Sequence, residues 1–389
     1  MGDQMRSIEL FSGCGGLALG LSRAGFKHDL MVEWNEEAVF TVVHNQRRGL
    51  RHIKDWPLRQ GDVRQVQWAP YAGELDLVAG GPPCQPFSIG GKHRGEDDSR
   101  DMWPEAIRAV RETSPRTFLF ENVRGIARPT FAHYLRWITA HLRHPTLTRR
   151  ANETHESHMA RLEARRAPAL YDVMVVLVNA ADYGAPQKRH RVIVAGLRRD
   201  LGARLTSPAP THSRQRLLWD QWVTGEYWKR HGITSPSEKF MPSSDRAVVS
   251  RLQENLFEPT EKPWVTVRDA LLGLGEPDGK SNHIFQPGAR IYPGHTGSPL
   301  DQPAKALKAG DHGVPGGENM MVLDNGSVRY FSIRESARLQ GLPDTYEFPR
   351  SWSESMRQLG NAVPSQLSEA VGRWMASNLV TVGREKLAA

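Results

Sequence analysis

The sequence predicts an α/β fold: a doubly wound, mostly parallel sheet joined by a smaller irregular domain. Three observations predict it. Short apolar runs alternate with amphipathic stretches through the first half of the chain, the pattern of buried strands separated by covering helices. A glycine-rich turn follows the first apolar run, where a strand hands over to a helix. From about Arg198 to about Tyr330 the alternation stops and Pro, Gly, Ser and Trp become frequent, which marks a second domain without regular helix periodicity.

Taken in order, Ile8 to Phe11 reads as the first strand, then comes the turn and a helix from about Gly16 to Ala24. Leu30 to Glu33 is the second strand and Glu36 to Asn45 the next helix. A third strand ends near Gly61-Asp62-Val63. Leu75 to Ala79 and Thr117 to Phe120 are buried strands, with a helix near Pro104 to Glu112 between them. Val173 to Asn179 and Arg191 to Ala195 flank the turn-rich segment Ala180 to Arg189, an arrangement that suits a hairpin. Arg143 to Arg166 is dense in Arg and His and reads as a solvated helical insertion that decorates the surface. Ile333 to Gln340 and Ser365 to Leu379 regain helical periodicity. There is no internal repeat.

Composition narrows the function. The 389 residues carry a formal net charge of +8, with 8% aromatic and 24% charged residues and 11 tryptophans, the profile of a folded chain. A basic balance favours a polyanionic partner. The two cysteines, Cys14 and Cys84, exclude a disulfide framework and a four-thiolate zinc site, and no metal is expected. Met1 to Glu9 lacks the apolar core of a signal peptide. Gly2 resembles a myristoylation start, but Arg6 stands where Ser or Thr is needed. No apolar run approaches the roughly 20 residues of a membrane span. A cytoplasmic, nucleoid-associated protein is expected.

The residues that carry chemistry lie at the ends of the expected strands, where open α/β sheets place their sites. Phe11 to Gly16 (FSGCGG) forms a turn whose backbone can approach a ligand closely. About 20 residues further on, Glu33 suits hydrogen bonds to a ribose. Trp34 could stack on adenine, and Asp62 could accept from an adenine amine. Together they suggest an adenosine-type cofactor without saying which. Gly80 to Ser88 (GGPPCQPFS) holds Cys84 between prolines, which suits a positioned thiol. Glu121, opening ENV after the fifth strand, projects to the same rim, and a cysteine with a carboxylate suits nucleophilic attack assisted by proton donation. Arg189 and Arg191 stand two apart at the start of a strand, able to face one side. Lys92, Arg94 and Arg100 follow Cys84 and suit phosphate or base contacts. Gln358 to Pro364 (QLGNAVP) reads locally as one element ending at Gly360-Asn361 and another starting at Pro364.

The order FSGCGG, VEWN, GDV, GGPPCQPFS, FENV, QKRHR, RESARLQGLPD and QLGNAVP resembles the cytosine-5 DNA methyltransferases of bacterial restriction-modification type, over residues of about 7 to 197 and about 330 to 378. The resemblance implies the class I S-adenosylmethionine-dependent methyltransferase fold, with a catalytic domain of residues 1–199 and 329–389 and a target-recognition domain of residues 200–328. It implies that Phe11, Ser12, Gly13, Cys14, Gly15, Gly16, Glu33, Trp34, Asp62 and Val63 hold S-adenosylmethionine, that Gly81 and Pro83 lie against it, and that Asn361 and Ala362 complete the pocket. Cys84 is then the nucleophile, Glu121 the group at cytosine N3, Arg191 a contact to the target base and Arg189 its support. Gln85 and Ser88 would touch DNA from a closing loop that includes Gly90 and Gly91.

The chain departs from compact family members in the longer segment between Glu121 and Tyr171. In the recognition domain Arg214, Arg216, Trp219, Trp222, Lys229, Arg246 and Arg290 are candidates for DNA contact by type alone, and no helix-turn-helix or zinc-finger pattern gives a base-reading code. The implied partner is double-stranded DNA. A cognate restriction endonuclease is possible, no membrane is involved, and a monomer is expected. Two alternatives stand beside this: a transfer RNA cytosine-5 methyltransferase of the same fold, against which Ser88 and the large recognition region speak, and a silent DNA-binding homologue, which should have lost Cys84, Glu121 or Asn361.

Overall fold

The computed structural model describes residues 4–83, 101–255, 257–309 and 319–388. Backbone contacts divide the chain into two units. Met1–Val178, His190–Pro208 and Thr345–Ala389 form the first; Asn179–Arg189 and Ala209–Asp344 form the second.

The first unit is built on seven strands: β1 (Met5–Leu10), β2 (Phe26–Glu33), β3 (Leu58–Gln60), β4 (Leu77–Gly80), β5 (Thr117–Val123), β6 (Tyr171–Asn179) and β7 (His190–Arg198), in the spatial order β3–β2–β1–β4–β5–β7–β6. Strands β1 to β5 pair parallel, and β7 lies antiparallel to β5, with Thr117 opposite Leu197 and Val123 opposite Arg191. The expected adjacency of the last two strands is present. The chain order reverses between β1 and β4, the place where open α/β sheets leave a crevice beyond their strand ends.

Seven helices belong to this unit among the described residues: α1 (Gly16–Arg23), α2 (Glu36–Arg47), α3 (Trp103–Thr113), α4 (Ala132–Arg143), α5 (His155–Glu163), α6 (Trp352–Asn361) and α7 (Ser365–Ala388). Alternation along the strands sends Ile8, Leu10, Val32, Val78, Phe118, Phe120 and Val194 to one face, where they meet Trp103, Ile107 and Val110 of α3 and Trp137 and Ile138 of α4. Ser7 points the other way. Its hydroxyl lies 3.1 Å from His28 Nδ1, and His28 Nε2 reaches the Ala18 carbonyl of α1 at 3.2 Å.

Helix α1 packs on α7 so closely that glycine is required. A Cβ on Gly20 would stand 2.2 Å from Ser368 Cβ and 2.5 Å from the Glu369 nitrogen. Alanine normally stabilises a helix over glycine by about 1 kcal/mol. Here Gly20→Ala is expected to reverse that sign and cost about 1–3 kcal/mol, because overpacking against backbone forces the helices apart. Thermal or urea unfolding of the variant reads the sign directly.

The insertion after α4 differs from a bare decoration. Helix α5 is present and its outer face is exposed, but His158, Met159 and Leu162 are buried, and the latter two join the main core. The Arg- and His-rich composition hid α4 itself, whose apolar stripe of Tyr134, Trp137, Ile138 and Leu142 runs between basic residues.

The second unit is irregular, as expected. Its longest described helix is Ser243–Gln253, with shorter ones at Arg214–Leu218, Glu226–Arg230, Val267–Leu271 and Ile333–Leu339, and strands of two or three residues. Two small apolar clusters stand out among its described residues. Leu218, Met241, Val249 and Leu252 form one, with Trp219 and Trp222 against it; Leu217, Tyr227 and Trp228 form the other. The buried Tyr227 hydroxyl donates to Asp301 at 2.8 Å, and Arg268 bridges Asp301 and the exposed Asp324 at 2.6 and 2.5 Å. Residues 329–344 fall in this unit, since Val328–Tyr330 pairs antiparallel with Met320–Val322 and Gln187 Nε2 donates to the Leu339 carbonyl. By backbone contacts this unit takes in Asn179–Arg189 and Ala209–Asp344.

Candidate active site

The turn after β1 is shaped by backbone that only certain residues tolerate. Gly13 and Gly15 have φ of 54° and 83°, and Phe11 itself sits at 59°, a costly value for a bulky residue. Glu33, at the end of β2, fastens the turn. Its Oε2 accepts from the Gly13 amide at 2.7 Å and its Oε1 from the Asn35 amide at 2.8 Å. Burial raises the Glu33 pKa, opposed by these amides, the Trp34 amide and the Arg357 charge. Beside this buried carboxylate the Trp34 ring is 73% exposed. Ser12 Oγ is buried and has no hydrogen-bond partner among the described residues.

The C-terminal segment closes on the same turn. A Cβ on Gly16 would meet the Val363 carbonyl oxygen at 2.4 Å and Ala362 Cβ at 3.2 Å. The Cys14 thiol reaches the Gln358 carbonyl at 3.8 Å, and burial pushes that thiol up to about 12. Asn361 ends α6 and Ala362 caps it. Asp62 follows β3 and caps a short 3₁₀ turn, Val63–Gln65, whose Val63 is buried. Its carboxylate takes the Arg64 guanidinium at 2.6 Å, which holds its pKa below the usual range.

At the ends of β5 and β7, Glu121 and Arg191 come together. Arg191 Nε stands 2.5 Å from Glu121 Oε1, and both side chains are nearly buried. The contact is charge to charge, because Nε makes no directed hydrogen bond there. The exit of β4 runs past the same carboxylate: a Cβ on Gly81 would lie 3.5 Å from Glu121 Oε2. Asn122 donates to the Pro82 carbonyl at 3.0 Å and so pins this exit. Pro83 is the last residue described before a gap. Cys84, Gln85, Ser88, Gly90, Gly91, Lys92, Arg94 and Arg100 lie outside the described residues.

Other expected residues take separate partners. Arg189 belongs to the second unit, where its guanidinium donates to the Leu307 carbonyl at 2.9 Å and its amide to Asn179. In the same unit Arg214 pairs with Asp245, and Arg216 pairs with Asp220 at 2.8 Å. Trp219 and Trp222 pack on core. Lys229, Arg246 and Arg290 are exposed.

Three residues around the turn escaped the sequence reading. Glu9 in β1 is buried, and burial raises its pKa well above the carboxylate range, opposed by the Ala18 backbone. The Tyr346 hydroxyl donates to the Cys14 carbonyl at 2.7 Å, and Arg357 reaches Asn35, the cap of α2, at 3.1 Å. The last two join segments more than 300 residues apart, so nothing local signals them. Among the described residues no cluster of His, Cys, Asp or Glu could hold a metal, and no helix is long and apolar enough to cross a membrane.

Five parallel strands closed by an antiparallel strand, with the turn, Glu33 and Glu121 at their carboxyl ends, define the class I S-adenosylmethionine-dependent methyltransferase fold. A solved DNMT2 variant from Spodoptera frugiperda has the same fold, with a TM-score of 0.59 at 14% identity over 96% of this chain and 99% of that one. The sequence goes further. A model of the C-5 cytosine-specific DNA methylase family matches residues 5–145 and 147–377, and the chain belongs to that family. It is 30% identical to Type II methyltransferase M.NgoMIV of Neisseria gonorrhoeae, over 95% of this chain and 96% of that one. It is also 30% identical to Type II methyltransferase M.Eco47II of Escherichia coli, over 94% of this chain and 77% of that one. The protein is a DNA cytosine-5 methyltransferase dependent on S-adenosylmethionine.

Proposed function

We propose that this methyltransferase modifies one cytosine within a short duplex DNA sequence, as the modification enzyme of a restriction system, with Cys84 as nucleophile and Glu121 as the group at cytosine N3. The observation that carries the assignment is the Glu121–Arg191 pair beside the β4 exit that leads to Cys84. The Type II names of the similar proteins support the modification role.

S-adenosylmethionine supplies an electrophilic methyl group on a sulfonium. The residues of the glycine turn fit it. The buried Ser12 hydroxyl lacks a partner among the described residues, Glu33 has oxygens to accept from a ribose, and Trp34 offers an open ring to an adenine. Phe11, Gly13, Cys14, Gly15 and Gly16 would line the turn, with Asp62, Val63, Gly81, Pro83, Asn361 and Ala362 around it.

Cytosine C5 is a poor nucleophile. The Cys84 thiolate adds to C6, forming an S–C6 bond and moving the C5–C6 π electrons towards C5. Glu121 at N3 offsets the charge that collects on the ring, and Arg191 orients Glu121 and contacts the base. C5 would then take the methyl group, the sulfonium S–CH3 bond breaking to leave S-adenosylhomocysteine as the neutral product. Loss of the C5 proton to a base returns electrons to the ring and breaks the S–C6 bond. A stacked cytosine exposes none of these atoms, so the base must leave the duplex, at a cost of a few kcal/mol. The second unit would read the sequence around it, and the enzyme would act as a monomer.

Incubating the protein with methyl-labelled S-adenosylmethionine and mixed-sequence duplex DNA, then mapping 5-methylcytosine, is expected to place label at one short motif. Label in transfer RNA with none in DNA would overturn the DNA assignment; label in neither would leave a silent binder. Glu33→Ala is expected to weaken S-adenosylmethionine binding about 10- to 100-fold, the loss of charge-assisted hydrogen bonds worth about 1.5–3 kcal/mol. Calorimetric titration of the cofactor reads it, while DNA affinity stays near wild type.

A further inference from the structure

We propose that the end of the first unit's sheet opposite Glu121 is a second contact surface for the phosphate backbone of duplex DNA, separate from the site where the target cytosine reacts. The proposal rests on duplex DNA being the substrate.

The position follows from the strand ends. Glu121 and Arg191 stand at the finish of β5 and the start of β7. At the other end the Tyr171 hydroxyl donates to the Pro115 carbonyl at 2.7 Å, and the Arg198 amide to the Arg116 carbonyl at 2.9 Å. The Leu170 amide donates to the Arg143 carbonyl at 2.8 Å, and the Arg199 amide to the Leu170 carbonyl at 2.9 Å. At roughly 3.3 Å per strand residue, this edge lies about 20 Å from Glu121.

The charge there is unbalanced. Arg143, Arg149, Arg150, Arg165, Arg166 and Arg199 are all exposed, and none is ion-paired among the described residues. The carboxylates of this region are mostly spent elsewhere: Glu153 on Arg161 at 2.6 Å, Glu163 on Arg136, and Asp200 on Arg198 at 2.8 Å. Glu156 is left against six arginines. Arg143 and Arg165 both stand close enough to His144 to add to the effect of burial in lowering its pKa.

The surface is also built. Trp137 and Leu142 of α4 and Met159 and Leu162 of α5 belong to the main core. Trp137 Nε1 donates to His158 Nδ1 at 3.2 Å, which leaves His158 Nε2 to donate to the Leu147 carbonyl at 2.7 Å. Arg161 donates to the Thr148 carbonyl at 2.7 Å and fixes the loop that carries Arg149 and Arg150. Guanidiniums held on a packed frame lose less freedom when they bind. Between Ala132 and Leu170 the basic residues other than histidine are all arginine, with no lysine; arginine is the side chain that meets phosphate with two parallel hydrogen bonds. Duplex DNA presents one charge about every 1.7 Å, and it is the polyanion that the enzyme's own activity brings to it.

The test compares wild type with a variant carrying Arg149→Gln, Arg150→Gln, Arg165→Gln and Arg166→Gln, and with the same four positions changed to Lys. Affinity for an A·T-only duplex is measured by fluorescence anisotropy over a range of salt. The Gln variant is expected to lose about 3–4 units from the slope of log affinity against log salt, near 0.9 per phosphate contact. The Lys variant should keep the slope. Pairwise variants, Arg149→Gln with Arg150→Gln and Arg165→Gln with Arg166→Gln, should each lose about half, which guards against a folding defect in the full set. Single-turnover methylation of a short duplex carrying the mapped target should match wild type throughout. Equal salt slopes for wild type and the Gln variant would overturn the proposal. So would loss of single-turnover methylation in the Gln variant, since the arginines would then belong to the target site. Wild type failing to methylate any DNA would instead sink the substrate reading on which the proposal rests.

Discussion

Cys84→Ala is expected to abolish methyl transfer while leaving the cofactor site and DNA binding intact. Without a thiolate to add at C6, cytosine C5 keeps its poor nucleophilicity, and the chain's other cysteine, Cys14, is buried in the glycine turn. The glycine turn is fastened by Glu33, Tyr346 and the 358–363 segment, none of which depends on Cys84, so S-adenosylmethionine affinity should stay within about twofold of wild type, the error of an indifferent surface change. The second check is a duplex with fluorine at cytosine C5. With S-adenosylmethionine present, the methylated adduct has no C5 proton to lose and cannot expel the thiolate, so wild type should remain attached to the DNA through denaturation. Cys84→Ala should release it. A variant that still transfers methyl at a measurable rate would remove Cys84 from the mechanism.

How much of this was legible in the sequence varies with the range of the signal. Strands β1, β2, β4 and β5 were readable because each contains a short apolar run between turns, as a central parallel strand buried on both faces requires; β3, Leu58–Gln60, lies at the sheet edge with one apolar residue and was marked by the turn that follows it. The turn at Phe11 to Gly16 was readable from its glycines. The end of helix α6 was read at Gly360-Asn361 but its start was not, although Ser351 and Glu354 carry its N-terminal signal and the Glu354 amide does bond Ser351 Oγ; with only ten residues its periodicity is short. Helix α4 was masked by basic residues between its apolar positions. The unit boundaries could not be read from composition, because Ile333–Leu339 is helical like the first unit yet groups with the second. At the site, Glu121 was legible as a carboxylate after a strand, but its ion pair with Arg191 depends on the register of β7 on β5. Arg189, two residues earlier, was read as its support, and its guanidinium donates to the Leu307 carbonyl. Long-range pairing decides such cases, and spacing along one chain does not contain it.

Glu121→Gln is expected to slow methyl transfer by about 10²- to 10⁴-fold, the usual range for a lost proton-transfer group. The amide keeps the shape of the side chain but cannot exchange a proton with N3. The same change removes the partner of Arg191, whose side chain is 12% exposed against 11% for Glu121. A cation left without its carboxylate in so little water should cost about 1–3 kcal/mol of stability. The two losses can be separated. Adding Arg191→Met to Glu121→Gln removes the stranded charge, so unfolding stability should recover towards wild type. Methyl transfer should not recover, because the group at N3 is still absent. If the double variant regained both stability and rate, Glu121 would be a structural anchor for Arg191. Stability without rate, with Arg191→Met alone transferring methyl faster than the double variant, assigns the carboxylate to the chemistry itself.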